Sequence, residues 1–291
     1  MADNKEVLKH SRDLVLKVHR DAMRILGFLN REVAPCLQGP FSNSRSVVMV
    51  AVYSRALAWA FSIEKWTTAI HFQSTASGTR ALLEITSDMI RLSNDSSPDT
   101  ETRIREWADS AKLKSAEALL DYFNNRAKKN IPARHSQAQD FVAENRERIL
   151  KRRAELEWTR IEKGKTKIIH PSRWTNQNLL YDIRKADSLA GNMIIRHLGV
   201  SLEEFYETEY QSLCWQVHGS GVTDVLGTNA SHFNYAVVSG IFWCSCLIML
   251  CTEIILDEFG RIGVRVPRNV LIEADYLSAM LVDRRLDLLG E

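Results

Sequence analysis

Two polar clusters interrupt apolar helical patterns, and they hold the residues of this chain best suited to chemistry. Arg80 and Glu84 lie one turn apart on one predicted helix, and Tyr210 and His218 lie two turns apart on another. Burying such groups is costly unless they pair or react. If the helices meet, Arg80 could stabilise negative charge, Glu84 could orient the imidazole, and His218 could move a proton. The same network could instead only fix the helix register.

The residues around His218 extend this candidate centre into a binding surface. We predict that Tyr210, Ser212, Trp215 and Ser220 contact a ligand, with core packing as the alternative for Trp215. Cys214 and His218 could share a helical face, but two ligands without a second pair do not make a zinc site. We therefore expect no metal and no cofactor.

A second candidate surface is basic. Between positions 141 and 173 the chain carries ten Lys and Arg against five Asp and Glu. One interpretation is a solvated helix with i,i+4 pairs such as Glu144 with Arg148. The other is a face that binds nucleic-acid phosphates and stacks on bases. Its candidate contacts are Arg148, Lys151, Arg152 and Trp158.

Several familiar chemistries are excluded by spacing. Gly164-Lys165-Thr166 looks like the end of a phosphate-binding loop, but Thr159 replaces the required glycine. We predict a simple loop there. The sequence contains no G-x-S-x-G elbow and no H-E-x-x-H zinc motif.

The composition indicates what must position these residues. The 291 residues are 45% hydrophobic and 25% charged, with only 13 Gly and 6 Pro, too few for a fold rich in tight turns. A net charge of +2 gives no global bias toward nucleic acid or acidic membranes. Apolar residues recur with helical period. We predict an all-α fold, one bundle of about eight or nine helices forming a single domain over 1–291.

The predicted helices follow from apolar periodicity and from caps. A capping box at Ser201 and Glu204 begins the helix that carries Tyr210. The predicted ranges are 3–33, 44–71, 74–92, 98–124, 137–163, 174–198, 201–218, 233–256 and 270–289.

The run from Phe233 to Thr252 has twenty residues without a formal charge. This length could cross a bilayer. Polar residues within the run and a mean hydropathy of -0.21 for the chain favour a helix buried on all sides of a globular core. We expect a core helix at 233–256 and no membrane partner.

The cysteines and the N-terminal residues predict the compartment. Five cysteines form no C-x-x-C pair, and three of them lie in the apolar run. This usage is typical of reduced core thiols. The first residues lack the apolar segment of a signal peptide. We therefore expect a cytoplasmic protein.

The order and spacing of several short motifs resemble a known family. These motifs are Arg80-x3-Glu84, Trp174, Tyr210-x-Ser212 and Val217-His218-Gly-Ser220. Together, over about 55–251, they resemble a widespread uncharacterised bacterial all-helical domain family. The resemblance implies an all-helical fold and assigns no reaction. We expect the terminal helices, 3–33 and 270–289, to pack on this region.

The same family resemblance extends loosely to the HEPN superfamily. Its nuclease members carry Arg, four to six residues and then His on one helix. The one match is Arg12-x6-His19, outside the resembling region. A HEPN-type mechanism would therefore need another geometry.

Two functions remain open at this point. The first is a helical binding or regulatory module in bacterial stress or phage defence, with RNA or a protein as partner and a homo-oligomer as an option. The second is an atypical HEPN-like ribonuclease that uses Arg80 and His218.

Overall fold

The computed structural model describes residues 4–39, 41, 44–94, 100–124, 133–211, 213–214 and 230–289. Within these ranges the chain forms nine α-helices and one two-stranded sheet, so it is an all-α protein as predicted. The chain divides into two compact units, Met1–Asp95 with Asp182–Glu291, and Ser96–Tyr181.

In chain order the helices and strands are α1 (Asn4–Phe28), α2 (Ser44–Phe61), α3 (Phe72–Asn94), α4 (Thr100–Asn124), α5 (Ala133–Glu155), β1 (Thr159–Glu162), β2 (Lys165–Ile168), α6 (Leu179–Leu198), α7 (Leu202–Phe205), α8 (Ala230–Arg261) and α9 (Arg268–Leu289). A π-helical turn, Tyr206–Tyr210, continues α7.

Helix α8 is the centre of the first unit and contacts α1, α2, α3 and α9. Its residues from Ile241 to Thr252 are buried, Trp243 excepted, because neighbours cover every side of the helix. Cys244, Cys246 and Cys251 are buried free thiols within it. The predicted apolar core helix is therefore present, and it is longer than predicted.

The apolar length of α8 also satisfies a simple test for a membrane span. Two helices in the described part of the chain are long and apolar enough to cross a bilayer, Arg45–Lys65 and Phe233–Arg261. In the second, 83% of the apolar window is buried inside the protein, as in the core helix of a soluble fold. By length and composition alone, two such helices are weak evidence for a membrane.

Helix α3 approaches α8 closely along a stripe of threonines. Gly240 makes this possible, because a Cβ there would lie only 2.7 Å from the side chain of Thr75. The Thr79 hydroxyl donates to the Gly240 carbonyl at 3.2 Å and contacts Cys244 Sγ at 3.2 Å. The opposite face of α3 is left to carry polar groups.

The helix predicted over 44–71 is shorter than expected. Helix α2 ends at Phe61, and 3-10 turns at Ser62–Lys65 and Ala69–His71 lead into α3. Trp66, with ψ 72, lies between them in a non-helical conformation and is only 3% exposed.

The entry to α7 is defined by caps. Helix α6 ends at Leu198, and the next residue, Gly199, has a φ of 67, in the left-handed region that favours glycine. The Ser201 hydroxyl accepts the backbone N–H of Glu204 at 3.0 Å, as the predicted capping box requires. The Asp187 carboxylate accepts the N–H groups of Leu202 and Glu203, each at 2.8 Å.

The second unit is built on the pair α4 and α5, followed by a β-hairpin. The helix predicted over 137–163 is present but ends early, and the loop predicted from Gly164 onward is a turn followed by a strand. Helix α5 ends at Glu155, and β1 pairs antiparallel with β2 from Thr159 opposite Ile168. The turn residues Lys163 and Gly164 both have positive φ, as a tight two-residue hairpin requires.

Helix α6 starts at Leu179 and not near 174 as predicted. The Asn178 side chain accepts the N–H of Tyr181 at 2.8 Å and so caps the helix, while Asn176 has a φ of 58. The predicted start of the fourth helix, at residue 98, lies outside the described residues.

Candidate functional site

The structure brings three of the predicted polar residues together. Tyr210 Oη donates to Glu84 Oε1 at 3.1 Å and accepts from Arg80 Nη2 at 3.4 Å. The Arg80 guanidinium carbon also lies 5.1 Å from the centroid of the Tyr210 ring, within cation–π range. The phenol thus bridges a cation and an anion that share one turn of α3.

Two elements position this centre. Arg80 and Glu84 lie on the half-buried face of α3, away from the threonine stripe that packs on α8. Tyr210 is the last residue of the π-helical turn and is 7% exposed. Its ring stacks on Tyr206 with centroids 4.8 Å apart.

At neutral pH Tyr210 is neutral and Arg80 is charged. Burial raises the pKa of Tyr210 to about 12, although the Arg80 hydrogen bond opposes the shift. Burial alone would lower the pKa of Arg80, but the Tyr210 hydrogen bond and nearby negative charges raise it overall. Tyr210 therefore remains a hydrogen-bond donor to Glu84 and is no base.

One atom of this centre is unsatisfied. Arg80 Nε is buried and has no hydrogen-bond partner in the described part of the chain. A buried unpaired donor costs free energy, so it marks a place where a further acceptor would be stabilising.

The other predicted residues of this centre cannot be placed. His218, Ser212, Trp215 and Ser220 lie outside the described residues. The proposed juxtaposition of Arg80 with His218 remains a prediction.

A further polar contact on the same face of α3 was missed by sequence reasoning. Arg91, two turns beyond Glu84, forms an ion pair with Asp182 on α6, and this carboxylate is fully buried. His197, at the other end of α6, contacts the Glu253 carboxylate of α8 at 2.5 Å. The position of Arg91 on the same helical face as Glu84 was visible in the sequence, but its distant partner Asp182 was not.

Two arginines of the basic segment are paired with carboxylates. Arg148 pairs with Asp109 at 2.8 Å, and Arg152 lies 3.5 Å from Glu106 and 2.5 Å from Glu155. Asp109 and Glu106 belong to α4 and Glu155 to α5 itself, and partly exposed pairs of this kind contribute little to stability. The nearest partner of Arg148 is thus Asp109, and not the predicted Glu144.

Trp158, predicted to stack on bases, is fully buried, so a base cannot reach its ring and that prediction was wrong. The hairpin returns the chain over it, and the Ile169 N–H donates to the Trp158 carbonyl at 2.9 Å. Lys151 is exposed, and it is the one member of the predicted set left available by these contacts.

A buried serine–histidine contact in the second unit looks like a nucleophile and a base. Ser110 Oγ lies 2.6 Å from His170 Nδ1 and accepts from Arg153 Nε at 2.7 Å. Burial and the charges of Arg153 and Lys114 lower the pKa of His170, so the ring stays neutral at pH 7. Ser110 is 0% exposed, however, so no substrate reaches it and the contact is structural.

The first unit also contains an open cleft of about 920 Å³, formed by α1, the end of α7 with its π-helical turn, α8 and α9. Its wall is aromatic: Phe205, Phe242 and Trp243 contact one another edge to face, with centroids 4.9 and 5.1 Å apart. Tyr235, on the same face of α8, is 44% exposed.

Six other residues of the cleft are ionisable. His10 and Lys17 contribute from α1, Glu204 and Glu209 from the α7 segment, and Arg284 and Arg285 from α9. Arg284 is neutralised by Asp21 at 2.7 Å. In the described part of the chain Glu209 has no hydrogen bond or ion pair, and burial alone raises its pKa.

Sequence reasoning missed this cleft. The helical spacing of Tyr235, Val238 and Phe242 was visible, but nothing in the pattern separates a cleft wall from a core face.

Among the described residues no group of three or more His, Cys, Asp or Glu is placed so that it could hold a metal ion.

Comparisons with known proteins add no identity to this geometry. No family model matches the chain, and no match is found among curated proteins or solved structures. The resemblance to an uncharacterised helical family therefore stays a prediction.

Proposed function

We propose that this protein is a cytoplasmic helical module that binds a small ligand in the cleft of its first unit. The observation that carries the proposal is the cleft itself. Its volume of about 920 Å³ lies in the range of ligand sites, and it combines an aromatic wall with a few charged groups. Five free cysteines support a reducing compartment.

In this proposal the Arg80–Glu84–Tyr210 centre stabilises the fold. Its phenol is almost completely buried, and its hydrogen bonds join α3 to the turn after α7. That turn also carries Glu209 and Thr208, which line the cleft. The centre therefore supports one wall of the binding site.

A regulatory role in stress or phage defence rests on the family resemblance and is part of the proposal. A module that binds a ligand without transforming it needs a large preformed cleft and no reactive constellation. Among the described residues the cleft has no nucleophile paired with a base, which supports binding over catalysis.

The test uses anilinonaphthalene sulfonate, an aromatic anion that mimics the shape and charge the cleft accepts. Thr208 and Glu207 are adjacent exposed residues of the π-helical turn, but only Thr208 lines the cleft. Thr208→Trp should place an indole in the cleft and obstruct it, and Glu207→Trp is the matched control.

We expect one molecule of the probe to bind the wild type and the control with equal affinity by calorimetry. Binding should weaken at least about tenfold in Thr208→Trp, since the indole occupies the site. Unfolding curves of both variants should match the wild type. Equal probe binding by Thr208→Trp would show that the cleft is not the binding site.

The alternative function is an atypical HEPN-like ribonuclease that uses Arg80 and His218. One observation favours it, the buried Arg80 Nε, which could donate to a phosphate oxygen. Purified protein should then cleave total RNA, and Arg80→Ala and His218→Ala should each abolish cleavage without loss of helix content. Absence of cleavage with varied divalent metals would exclude this function.

A further inference from the structure

The cleft contains a guanidinium without an ionic partner among the described residues. Arg285 lines the cleft, and its Nη1 occupies the position that a Cβ of residue 199 would take, so the glycine admits the guanidinium against the backbone. Within the described residues Arg285 forms no hydrogen bond or ion pair. A guanidinium matches phosphate oxygens in a bidentate geometry.

The same cleft contains a carboxyl group that also lacks a partner. Glu209 is half-buried, and the described residues give it neither a cation nor a hydrogen-bond donor. An ionised carboxylate is acceptor-only, with two oxygens side by side. It is therefore best satisfied by a ligand that presents two adjacent N–H donors.

The aromatic wall of the same cleft suits a planar ring. Trp243 is partly exposed and is fixed by edge contacts to Phe205 and Phe242. Stacking of a base on such a ring contributes about 1–3 kcal/mol and requires no particular sequence. The cleft of about 920 Å³ has room for a base, a sugar and a phosphate.

From these three observations we infer that the cleft binds a guanine nucleotide, with the base on Trp243, its donor edge at Glu209 and its phosphate at Arg285. Guanine is the purine whose pairing edge presents two neighbouring donors, N1–H and N2–H. Adenine presents a donor beside an acceptor, and the acceptor would oppose the carboxylate. Lys17 lines the same cleft and adds positive charge for the phosphate. The inference rests on the proposed function, since it specifies the ligand of the same cleft.

Calorimetric titration with GMP, AMP and guanosine separates the contributions. The full chain should bind GMP most tightly. AMP, which lacks the paired donors, and guanosine, which lacks the phosphate, should each bind at least about tenfold more weakly.

Two substitutions assign these differences to residues. Glu209→Gln keeps the size of the side chain but replaces one acceptor with a donor, so the preference for GMP over AMP should disappear. Arg285→Gln should lower GMP affinity to that of guanosine. Glu207→Gln, on the same turn but outside the cleft, should change neither value.

The outcomes separate this inference from the proposed function. Equal binding of GMP and AMP, or an unchanged preference in Glu209→Gln, would overturn the guanine assignment. If the aromatic sulfonate binds in the cleft but no nucleotide does, the nucleotide inference fails and the ligand-binding function stands. If neither probe binds, both proposals fail.

Discussion

Tyr210→Phe is the substitution that best tests the polar centre, because it removes one oxygen and keeps the ring. The Tyr210 hydroxyl makes two hydrogen bonds, one to the Glu84 carboxylate at 3.1 Å and a longer one from Arg80 at 3.4 Å. The phenylalanine ring preserves the stacking on Tyr206 and the contact with the guanidinium. Any loss of stability is therefore assignable to hydrogen bonding.

The expected magnitude follows from the two distances. A hydrogen bond to a charged group contributes about 1.5–3 kcal/mol when well formed, and partial exposure of Glu84 and the 3.4 Å length of the second bond reduce this. We expect Tyr210→Phe to lower the free energy of unfolding by about 1–2 kcal/mol. For a unit of this size the melting temperature should fall by about 2–4 °C per kcal/mol.

Urea unfolding of single and double variants measures each bond. In double-mutant cycles with Tyr210→Phe, the coupling energy to Glu84→Met should exceed that to Arg80→Met, because the former bond is shorter. Tyr206→Phe is the matched control and should be neutral, since no hydrogen bond involves the Tyr206 hydroxyl among the described residues. A loss below about 0.5 kcal/mol in Tyr210→Phe, or a larger coupling to Arg80, would refute this account of the centre.

Three further substitutions test other parts of the structure. Gly199→Ala should destabilise by about 1–3 kcal/mol in urea unfolding, because φ is positive and a guanidinium occupies the Cβ position, whereas Gly191→Ala, with open space, should gain about 0.5–1 kcal/mol. Ser110→Ala should cost about 1–3 kcal/mol, since it removes the acceptor of the buried Arg153 Nε; a neutral result would contradict that role. Burial raises the pKa of Glu209, so the wild type should lose stability relative to Glu209→Gln as pH rises from about 4 to 7. If the melting temperatures of the wild type and of Glu209→Gln change in parallel over this pH range, burial does not destabilise the ionised Glu209 carboxylate.

The position of Trp158 shows where pattern reading failed. The segments Thr159-Arg-Ile-Glu and Lys165-Thr-Lys-Ile could be read as short strands around a Lys-Gly turn. Their high charge resembled a solvated helix and its loop, and the helix was extended through them. In the structure the chain turns back in a hairpin and Trp158 is buried, whereas a continuous helix was expected to leave Trp158 exposed.

The sequence alone determined the all-α class and the buried helix α8, because an apolar run without charges is stable only when neighbours or lipid cover every side. It also determined the caps at Ser201 and the spacing of Arg80 and Glu84, since these depend on residues within one helical turn. Local geometry is fixed by the backbone, so local patterns predict it.

Only the tertiary structure decided what these elements form together. Tyr210 meets Glu84 across 126 positions, and the cleft joins α1 to α9 from opposite ends of the chain. Such contacts depend on the angle and register at which helices pack, and many arrangements bury the same apolar faces equally well. The pairing of the polar centre and the unpaired charges of the cleft are therefore consequences of packing.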